Sequence, residues 1–319
     1  MPQPVPAETA SDPSDPASDA SDTLLSAEPI SGHELRPSPV PDGLVLVSTP
    51  IGNLGDMTPR AVAALKACDL ILCEDTRTSA RLLAVFDIRV RTAALHDHNE
   101  DRAIPGLLAE LRRGKRIGVI SDAGMPVVSD PGFRLVRAAL EAGIQVSALP
   151  GANAATLALV LSGLPPLPFL FQGFPPPRQA ARREMFARLR AAEQAGLAAT
   201  SLWYEAPHRL AETLADMAVE FGARPAAVAR ELTKRFEEVR RATLPELAAH
   251  YAANEARGEI TIVVGPAPAE TTSEADLDVL LSQALAGHSL KDAVAAVVAA
   301  TGLNRKLVYA RALALQASG

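Results

Sequence analysis

Four short apolar runs punctuate the first half of the chain: LVLVST (44–49), DLILCE (69–74), RIGVIS (116–121) and IQVSAL (144–149). A strand of four to six apolar residues without alternation leaves no wet face, so each must be covered on both sides. Helix signals lie between them. Thr58 with Pro59 forms an N-cap followed by a first-turn proline, and Thr76 and Asn99 cap two further helices. Gly114 closes the third helix, Asp130–Pro131 marks the next start, and Gly143 ends that one. Doubly buried strands alternating with capped helices specify an α/β fold with a mainly parallel sheet.

The pattern changes at LPPLPFLFQGFPPP (164–177), which holds six prolines and one short strand, FLFQ. A basic helix follows from Arg178, then strands SLWYE (201–205), AAVAR (226–230), EEVRRA (237–242) and EITIVVG (259–265), with a helix from Pro207. The alternation in EEVRRA predicts antiparallel pairing in this half. Beyond APAETTSEAD the chain reads as all helix: Ser289 with Asp292 opens one helix, Gly302 interrupts, and Asn304 opens another. The expected organisation is an acidic tail (1–42), an N-terminal α/β domain (43–163), a proline-rich linker (164–177), a second α/β domain (178–266) and a helical tail (274–319). That tail has the outline of a helix-turn-helix, with Lys291, Arg305, Lys306 and Arg311 as its bases. A small bundle serving packing or dimer contacts explains it equally simply.

Charge is unevenly spread. The formal net charge is -6, yet residues 1–42 carry eight acids and one base, which leaves 29 acids and 30 bases for the remainder. The near-neutral body cannot hold a polyanion by overall charge, so any such partner needs local clusters. Nine of the 26 prolines fall in that first segment, among repeats such as SDPSDPASDASD, and it reads as a disordered tail. It lacks the basic and apolar pattern of a targeting signal, so a cytoplasmic chain is expected. No apolar run approaches the roughly 18 residues of a membrane span. The two cysteines, Cys68 and Cys73, sit at a helix end and in a strand, a spacing that makes neither a disulfide framework nor a zinc site.

Three loops at strand carboxyl ends have unusual composition: STPIGNLGD (48–56), SDAGMPVVSDPG (121–132) and LPGANA (149–154). Each sets small residues, and hence open backbone N–H groups, ahead of a helix. Turn chemistry alone explains any one of them. Three along one sheet edge indicate a ligand site. Neither G-x-x-x-x-G-K-[ST] nor a G-x-G-x-x-G after the first strand is present, which removes the usual nucleotide-binding readings.

Eight ordered motifs, TPIGNLGDMTPRA, CEDTRTSARLL, LHDHNE, SDAGMPVVSDPG, PGANA, YEAPHRL, ARELTKRFEE and GEITIVVG, resemble the tetrapyrrole methylase superfamily over about residues 43–265. Within it the resemblance is to bacterial enzymes that methylate the ribose 2′-hydroxyl of a decoding-centre cytidine in 16S rRNA. It implies a two-domain tetrapyrrole-methylase-like fold, with S-adenosylmethionine folded into the cleft between domains, and a homodimer. Pro50, Ile51 and Gly52 match the first cofactor loop, Pro50 standing where a glycine is usual. Ala123, Gly124 and Met125 match a Gly-Gly-Asp segment that contacts the methionine part, the acidic residue being shifted here to Asp122. Asn153 and Ala154 match a Thr-Ala pair, Tyr204 and Glu205 a strand end facing the adenosine, and Arg230 lies on a further cofactor-facing strand.

Methyl transfer from a sulfonium is an in-line displacement, in which alignment supplies much of the rate. A ribose hydroxyl also needs help to lose its proton. Candidates are Asp75, in Glu74–Asp75–Thr76–Arg77, His96, in His96–Asp97–His98–Asn99–Glu100, and Glu205. Each has a plainer reading: Asn99 as an N-cap, Glu100 as a helix-dipole partner, the histidines as backbone hydrogen-bonders, Glu205 and His208 as caps of the helix at Pro207. Two histidines with acids suggest a metal, but no third ligand group stands at suitable spacing, so none is expected.

Arg178, Arg182, Arg183, Arg188 and Arg190 run along one helix, within reach of a phosphate backbone or simply as a solvated face. Three functions stay open: the rRNA ribose methyltransferase, a methyltransferase of the same superfamily acting on a tetrapyrrole or protein side chain, and a non-catalytic ribosome-binding protein. Because residues 1–40 bury little apolar surface, deleting them should leave the melting temperature nearly unchanged. Thermal denaturation of the shortened chain checks this, and a clear drop would show that the segment docks.

Overall fold

The computed structural model describes residues 40–268, 274–301 and 303–318; the predicted acidic tail up to residue 39, and Gly302, lie outside the described residues. The first half comprises β1 (Leu44–Val47), α1 (Pro59–Lys66), β2 (Leu70–Cys73), α2 (Thr76–Val85), β3 (Thr92–Ala94), α3 (Glu100–Arg112), β4 (Ile117–Ile120), α4 (Phe133–Glu141), β5 (Val146–Leu149) and α5 (Ala154–Ser162). Its strands form one sheet in the order β3-β2-β4-β1-β5, with every pair parallel. Leu44 of β1 lies opposite Ile117 and Val146, and Val47 opposite Ile120 and Leu149. That register brings the ends of β1, β4 and β5 level. The loops predicted to be unusual therefore leave one edge of the sheet side by side.

The helix starts show how side chains replace one another as caps. Thr58 Oγ1 accepts the Ala61 N–H at 3.1 Å, as its position predicts. At α2 the cap is Asp75 rather than Thr76, its carboxylate accepting the Arg77 N–H at 2.8 Å. Asn99 does hold the N-cap position of α3, but its amide is spent elsewhere: it accepts from His96 N–H (2.9 Å) and donates to the Ala94 carbonyl (3.0 Å). α4 begins at Phe133, after Gly132, later than the Asp130–Pro131 signal suggests. Gly132 has no side chain to cap with. Glu100, 1% exposed, does that work from α3, accepting the Leu135 N–H at 2.7 Å and Arg134 Nε at 3.3 Å. It is a buried tie between helices, not a surface partner of its own helix dipole.

The second half comprises β6 (Phe169–Phe171), α6 (Gln179–Gln194), β7 (Thr200–Glu205), a short 3-10 turn (Pro207–Arg209), α7 (Leu210–Phe221), β8 (Pro225–Arg230), β9 (Glu238–Thr243), α8 (Leu244–Ala253) and β10 (Ile260–Val264). The sheet order is β6-β7-β10-β8-β9. β10 runs antiparallel to both β7 and β8, β9 is antiparallel to β8 as the alternation predicts, and β6 is parallel to β7. α8 is absent from the reading of the sequence, although Thr243–Leu244–Pro245–Glu246 spells a capping box with an early proline. One face of this sheet buries Phe186, Trp203, Leu214, Met217 and Ile262 under α6 and α7. The other packs Leu202, Ala227 and Val263 against Ala155, Ala158 and Leu159 of α5. α5 thus belongs by sequence to the first half and by packing to the second, within the compact unit Asp42–Gly319.

The last helices, α9 (Glu274–Leu285), α10 (Leu290–Thr301) and α11 (Arg305–Ser318), have their own apolar core of Leu277, Leu281, Val294, Val297, Val308 and Ala312. Ser289 and Asp292 bond one another at 2.6 Å, and Asn304 Oδ1 accepts the Lys306 N–H at 2.9 Å, the two caps expected. Arg311 is engaged twice by Asp278, at 2.6 and 2.7 Å. Both cysteines are buried free thiols. No helix among the described residues is long and apolar enough to cross a membrane.

The arginine run needs a correction. Arg182, expected among residues facing RNA, is 1% exposed and holds buried Asp216 at 2.5 Å. Arg183 Nε reaches the same carboxylate at 2.7 Å, and Gln179 donates to it at 3.1 Å. A helix of this amphipathicity must bury one face, and Arg182 falls on it beside α7; Arg178 and Arg188 stay exposed. Breaking a buried pair leaves its partner charged and desolvated, which costs about 3–5 kcal/mol. Arg182→Ala should therefore lower the melting temperature strongly, whereas Arg188→Ala, exposed and bonded only to Glu184 on its own helix, should barely change it. Parallel thermal melts of the two variants decide.

Candidate functional site

The loops after β1 and β4 are stitched together beyond the ends of their strands. Thr49 N–H donates to Gly124 O at 2.9 Å, and Gly124 N–H returns to Thr49 O at 3.1 Å. Thr49 Oγ1 donates to the Ser121 carbonyl (3.1 Å), Ser121 Oγ to that of Gly124 (2.8 Å), and Ser48 Oγ to that of Ala152 on the third loop (3.2 Å). Gly124 lies at φ +91°, and a Cβ there would stand 3.3 Å from Ile51 Cγ2 and 3.5 Å from Ala152 O. Further along, Val127 and Ser129 adopt φ of +76° and +67°. Left-handed backbone is costly for a β-branched residue, so this loop is held in shape against its own preference.

These loops line a cavity of about 340 Å³ whose opposite wall comes from the second sheet. On the first side are Ile51, Asp122, Ala123, Gly124, Met125, Val128, Ser129, Asp130, Asn153 and Ala154. Facing them are Phe174, Tyr204, Glu205, Ala206, Pro207, Ala229, Leu232 and Gly258–Thr261. Its size is that of a small-molecule site. Tyr204 is fixed by Phe171 and Phe174, with ring centroids 4.8 and 5.6 Å away, and burial pushes its phenol up from the ordinary value.

A second cavity of about 250 Å³ adjoins the first. Ile51, Asp122, Ala123 and Glu259 line both, while Pro50, Gly52, Thr78, Ser79 and Lys234 line only the second. Gly52 is needed there for space: a Cβ would fall 2.3 Å from Lys234 Cγ. Lys234 Nζ is gripped by Glu231 at 2.8 Å and Glu259 at 3.1 Å. Burial favours its neutral amine, but those two carboxylates outweigh burial and raise its pKa.

The residues singled out by sequence thus sort themselves. Ile51, Asp122–Met125, Asn153, Ala154, Tyr204 and Glu205 border the first cavity, and Pro50 and Gly52 the second. Arg230 does not: its guanidinium pairs with Glu238 at 2.9 Å, and Ala229 of the same strand lines the wall instead. Asp75 is outside both cavities; its carboxylate, capping α2 and bonded to Arg77, is held below the usual range. His96 is exposed and also outside both. Glu205 is 2% exposed and directs its carboxylate into the fold, accepting from Thr213 Oγ1 (2.6 Å), Ala206 N–H (2.8 Å) and Arg209 (3.2 Å). With three donors on it, that group is a brace rather than a proton acceptor. Among the described residues no cluster of three or more His, Cys, Asp or Glu could hold a metal.

Asp130 is the residue that sequence reasoning passed over as part of a helix start. Burial, then the charges of Glu74 and Asp122, push its carboxyl up to about 6. Asp122 is raised in the same way, by burial and by Asp75, against the opposing hydrogen bond from the Asp75 backbone. The folded state therefore binds the Asp130 proton more tightly than the unfolded chain. Stability from this group is present at low pH and is lost as pH rises from the ordinary aspartate range through about 6. Asp130→Asn removes that loss and should raise stability at pH 8, and the melting temperature with it, by about 1 kcal/mol once solvent screening is allowed for, while gaining little at pH 3.5. Calorimetric melts at both pH values check the sign.

The sequence profile described as "Tetrapyrrole (Corrin/Porphyrin) Methylases" matches residues 43–248, and that described as "RsmI C-terminal HTH domain" matches 271–316. The chain is 45% identical over 285 residues to the "Ribosomal RNA small subunit methyltransferase I" of Mesorhizobium japonicum, covering 89% of this chain and 95% of that one. To the protein of the same name from Micromonospora olivasterospora it is 42% identical over 281 residues, covering 86% and 88%. A crystal structure of diphthine synthase shares the fold, with a TM-score of 0.54 at 14% identity over 70% of this chain and 89% of that one. The methyltransferase CobJ does so with a TM-score of 0.52 at 21% identity, over 71% and 95%. With its two sheets, its bridged loops and a helical C-terminal region, the chain belongs to the tetrapyrrole methylase family, alongside relatives named ribosomal RNA small subunit methyltransferase I.

Proposed function

We propose that this protein transfers a methyl group from S-adenosylmethionine to the ribose 2′-hydroxyl of a decoding-centre cytidine in 16S rRNA. It does so on the small ribosomal subunit in the cytoplasm, as a homodimer. The observation that carries the reading is a cavity built from the cofactor-type loops in a chain that matches, over 89% of its own length and 95% of the relative's, a protein named for small-subunit ribosomal RNA. That match favours RNA over the tetrapyrrole and protein substrates of the wider fold. A carboxylate-bearing, otherwise largely apolar cavity favours an enzyme over a passive ribosome-binding protein.

The residues present suit this cofactor. Its sulfonium and its ammonium are both cationic, and Asp130, which lines the first cavity alone, gives it a carboxylate to meet them, while residues 122–125 present backbone groups. Ile51, Ala229 and Leu232 offer apolar surface, and Gly124 leaves space that a side chain would fill. When bound, S-adenosylmethionine supplies an electrophilic methyl on sulfur. The chain's own part is to orient: bridged loops fix the backbone groups of 122–125, and Asn153 Oδ1, accepting Thr156 N–H at 3.1 Å, sets the start of α5 beside them. Alignment of this kind supplies a large share of the rate in a displacement. Binding of the RNA falls to exposed Arg178 and Arg188, half-exposed Arg183 and the bases of the helical tail, since Arg182 is buried.

Small subunits lacking the modification, incubated with the protein and methyl-labelled cofactor, should gain one alkali-resistant ribose in 16S rRNA. Gly124→Arg should abolish both cofactor binding in calorimetry and transfer. Absence of label with wild type contradicts the activity, and wild-type affinity in the mutant contradicts the site.

A further inference from the structure

We propose that the second cavity receives the methyl acceptor, with Lys234 holding the incoming RNA and Asp122 taking the proton from the attacking hydroxyl. This inference rests on the reading above. An acceptor must approach the donor cavity through a shared wall, and its base must stand on that wall. Of the residues common to both cavities only Asp122 and Glu259 are titratable, and Glu259 is neutralised by Lys234 at 3.1 Å. Asp122 is exposed, and among the described residues no cation pairs with it. The Asp75 backbone N–H orients its carboxylate, and partial desolvation against the cavity wall together with the Asp75 charge raises its proton affinity. A base of raised pKa on an open wall meets both demands of proton abstraction.

The rest of the second cavity suits a nucleotide. Thr78 and Ser79 add hydroxyls, and Lys234 stays protonated between Glu231 and Glu259, a donor to phosphate or ribose oxygen rather than a base. In the step itself the acceptor oxygen forms its bond to the methyl carbon as the carbon–sulfur bond breaks. The electron pair of that bond remains on sulfur, which becomes a neutral thioether, and the hydroxyl proton passes to the Asp122 carboxylate. Around that carboxylate stand Asp75 and Cys73 at the end of β2, Asp130 on its own loop, and Lys234 and Glu259 across the second cavity.

The test uses the full chain, small subunits and S-adenosylmethionine. Asp122→Asn, nearly isosteric, should melt as wild type and keep cofactor affinity by calorimetry within about threefold. Its kcat should fall by about 10²–10³, and the rise of kcat with pH expected of the wild type should be absent from it while present in Asp130→Asn. Lys234→Met should raise KM for small subunits roughly tenfold with cofactor affinity kept. Asp122→Asn retaining a third or more of wild-type kcat, or losing cofactor affinity in step with activity, overturns the role given to Asp122. An unchanged KM in Lys234→Met overturns the acceptor cavity. Wild type that methylates no small subunit instead removes the underlying reading, and the inference falls with it.

Discussion

Two backbone hydrogen bonds between Thr49 and Gly124, at 2.9 and 3.1 Å, carry the geometry of the whole cleft. They act as one rung of sheet beyond the ends of β1 and β4, so the loops that follow leave a common, rigid floor. The rung needs Gly124 at φ +91° with Ile51 and the Ala152 carbonyl close by. It also needs Thr49, whose buried hydroxyl donates to the Ser121 carbonyl and would otherwise be an unpaired polar group in the core. From that floor the left-handed residues Val127 and Ser129 turn the loop back across the cavity, which is how Asp130 comes to face the same space as Asp122.

The opposite wall is fixed by α5. Its N-terminus is set by the third loop, where Gly151 permits an approach to Ser48 that a Cβ would block at 2.6 Å. Its apolar face is buried against the second sheet through Ala155, Ala158 and Leu159. A movement that opens the cleft there would have to expose that packed surface, at about 25 cal/mol for each Å². Loop geometry on one sheet and position of the other are therefore coupled through a single helix.

Much of this was legible in the residues. Unbroken apolar runs made the parallel strands plain, because a doubly buried strand has no other pattern to show. The three loops were visible as small-residue clusters at strand ends. What failed was whatever depended on which way a side chain turns in three dimensions. Arg182 looks like its neighbours in sequence, but the helix period buries it against Asp216. Arg230 sits one residue past a cavity-facing position, and alternation along β8 sends it to Glu238. Glu205 reads as a free carboxylate until Arg209 and Thr213, four and eight residues on, close over it. Asp130 hid in the opposite way: SDPG is so ordinary a helix start that its burial among acids left no trace in the sequence.

The treatment of negative charge separates structure from site. Where carboxylates are buried for the fold, each has a cation: Glu193 has Arg224, Asp216 has Arg182 and Arg183, Glu100 has Arg134, Glu205 has Arg209. At the cleft the rule is suspended. Burial, and after it the charges of Glu74 and Asp122, lift Asp130 to about 6, and among the described residues none of the three has a basic partner. Such a cluster costs stability, and a positive charge arriving from outside would relieve it. A small cationic ligand in the first cavity would supply that charge and would favour the ionised form of Asp130.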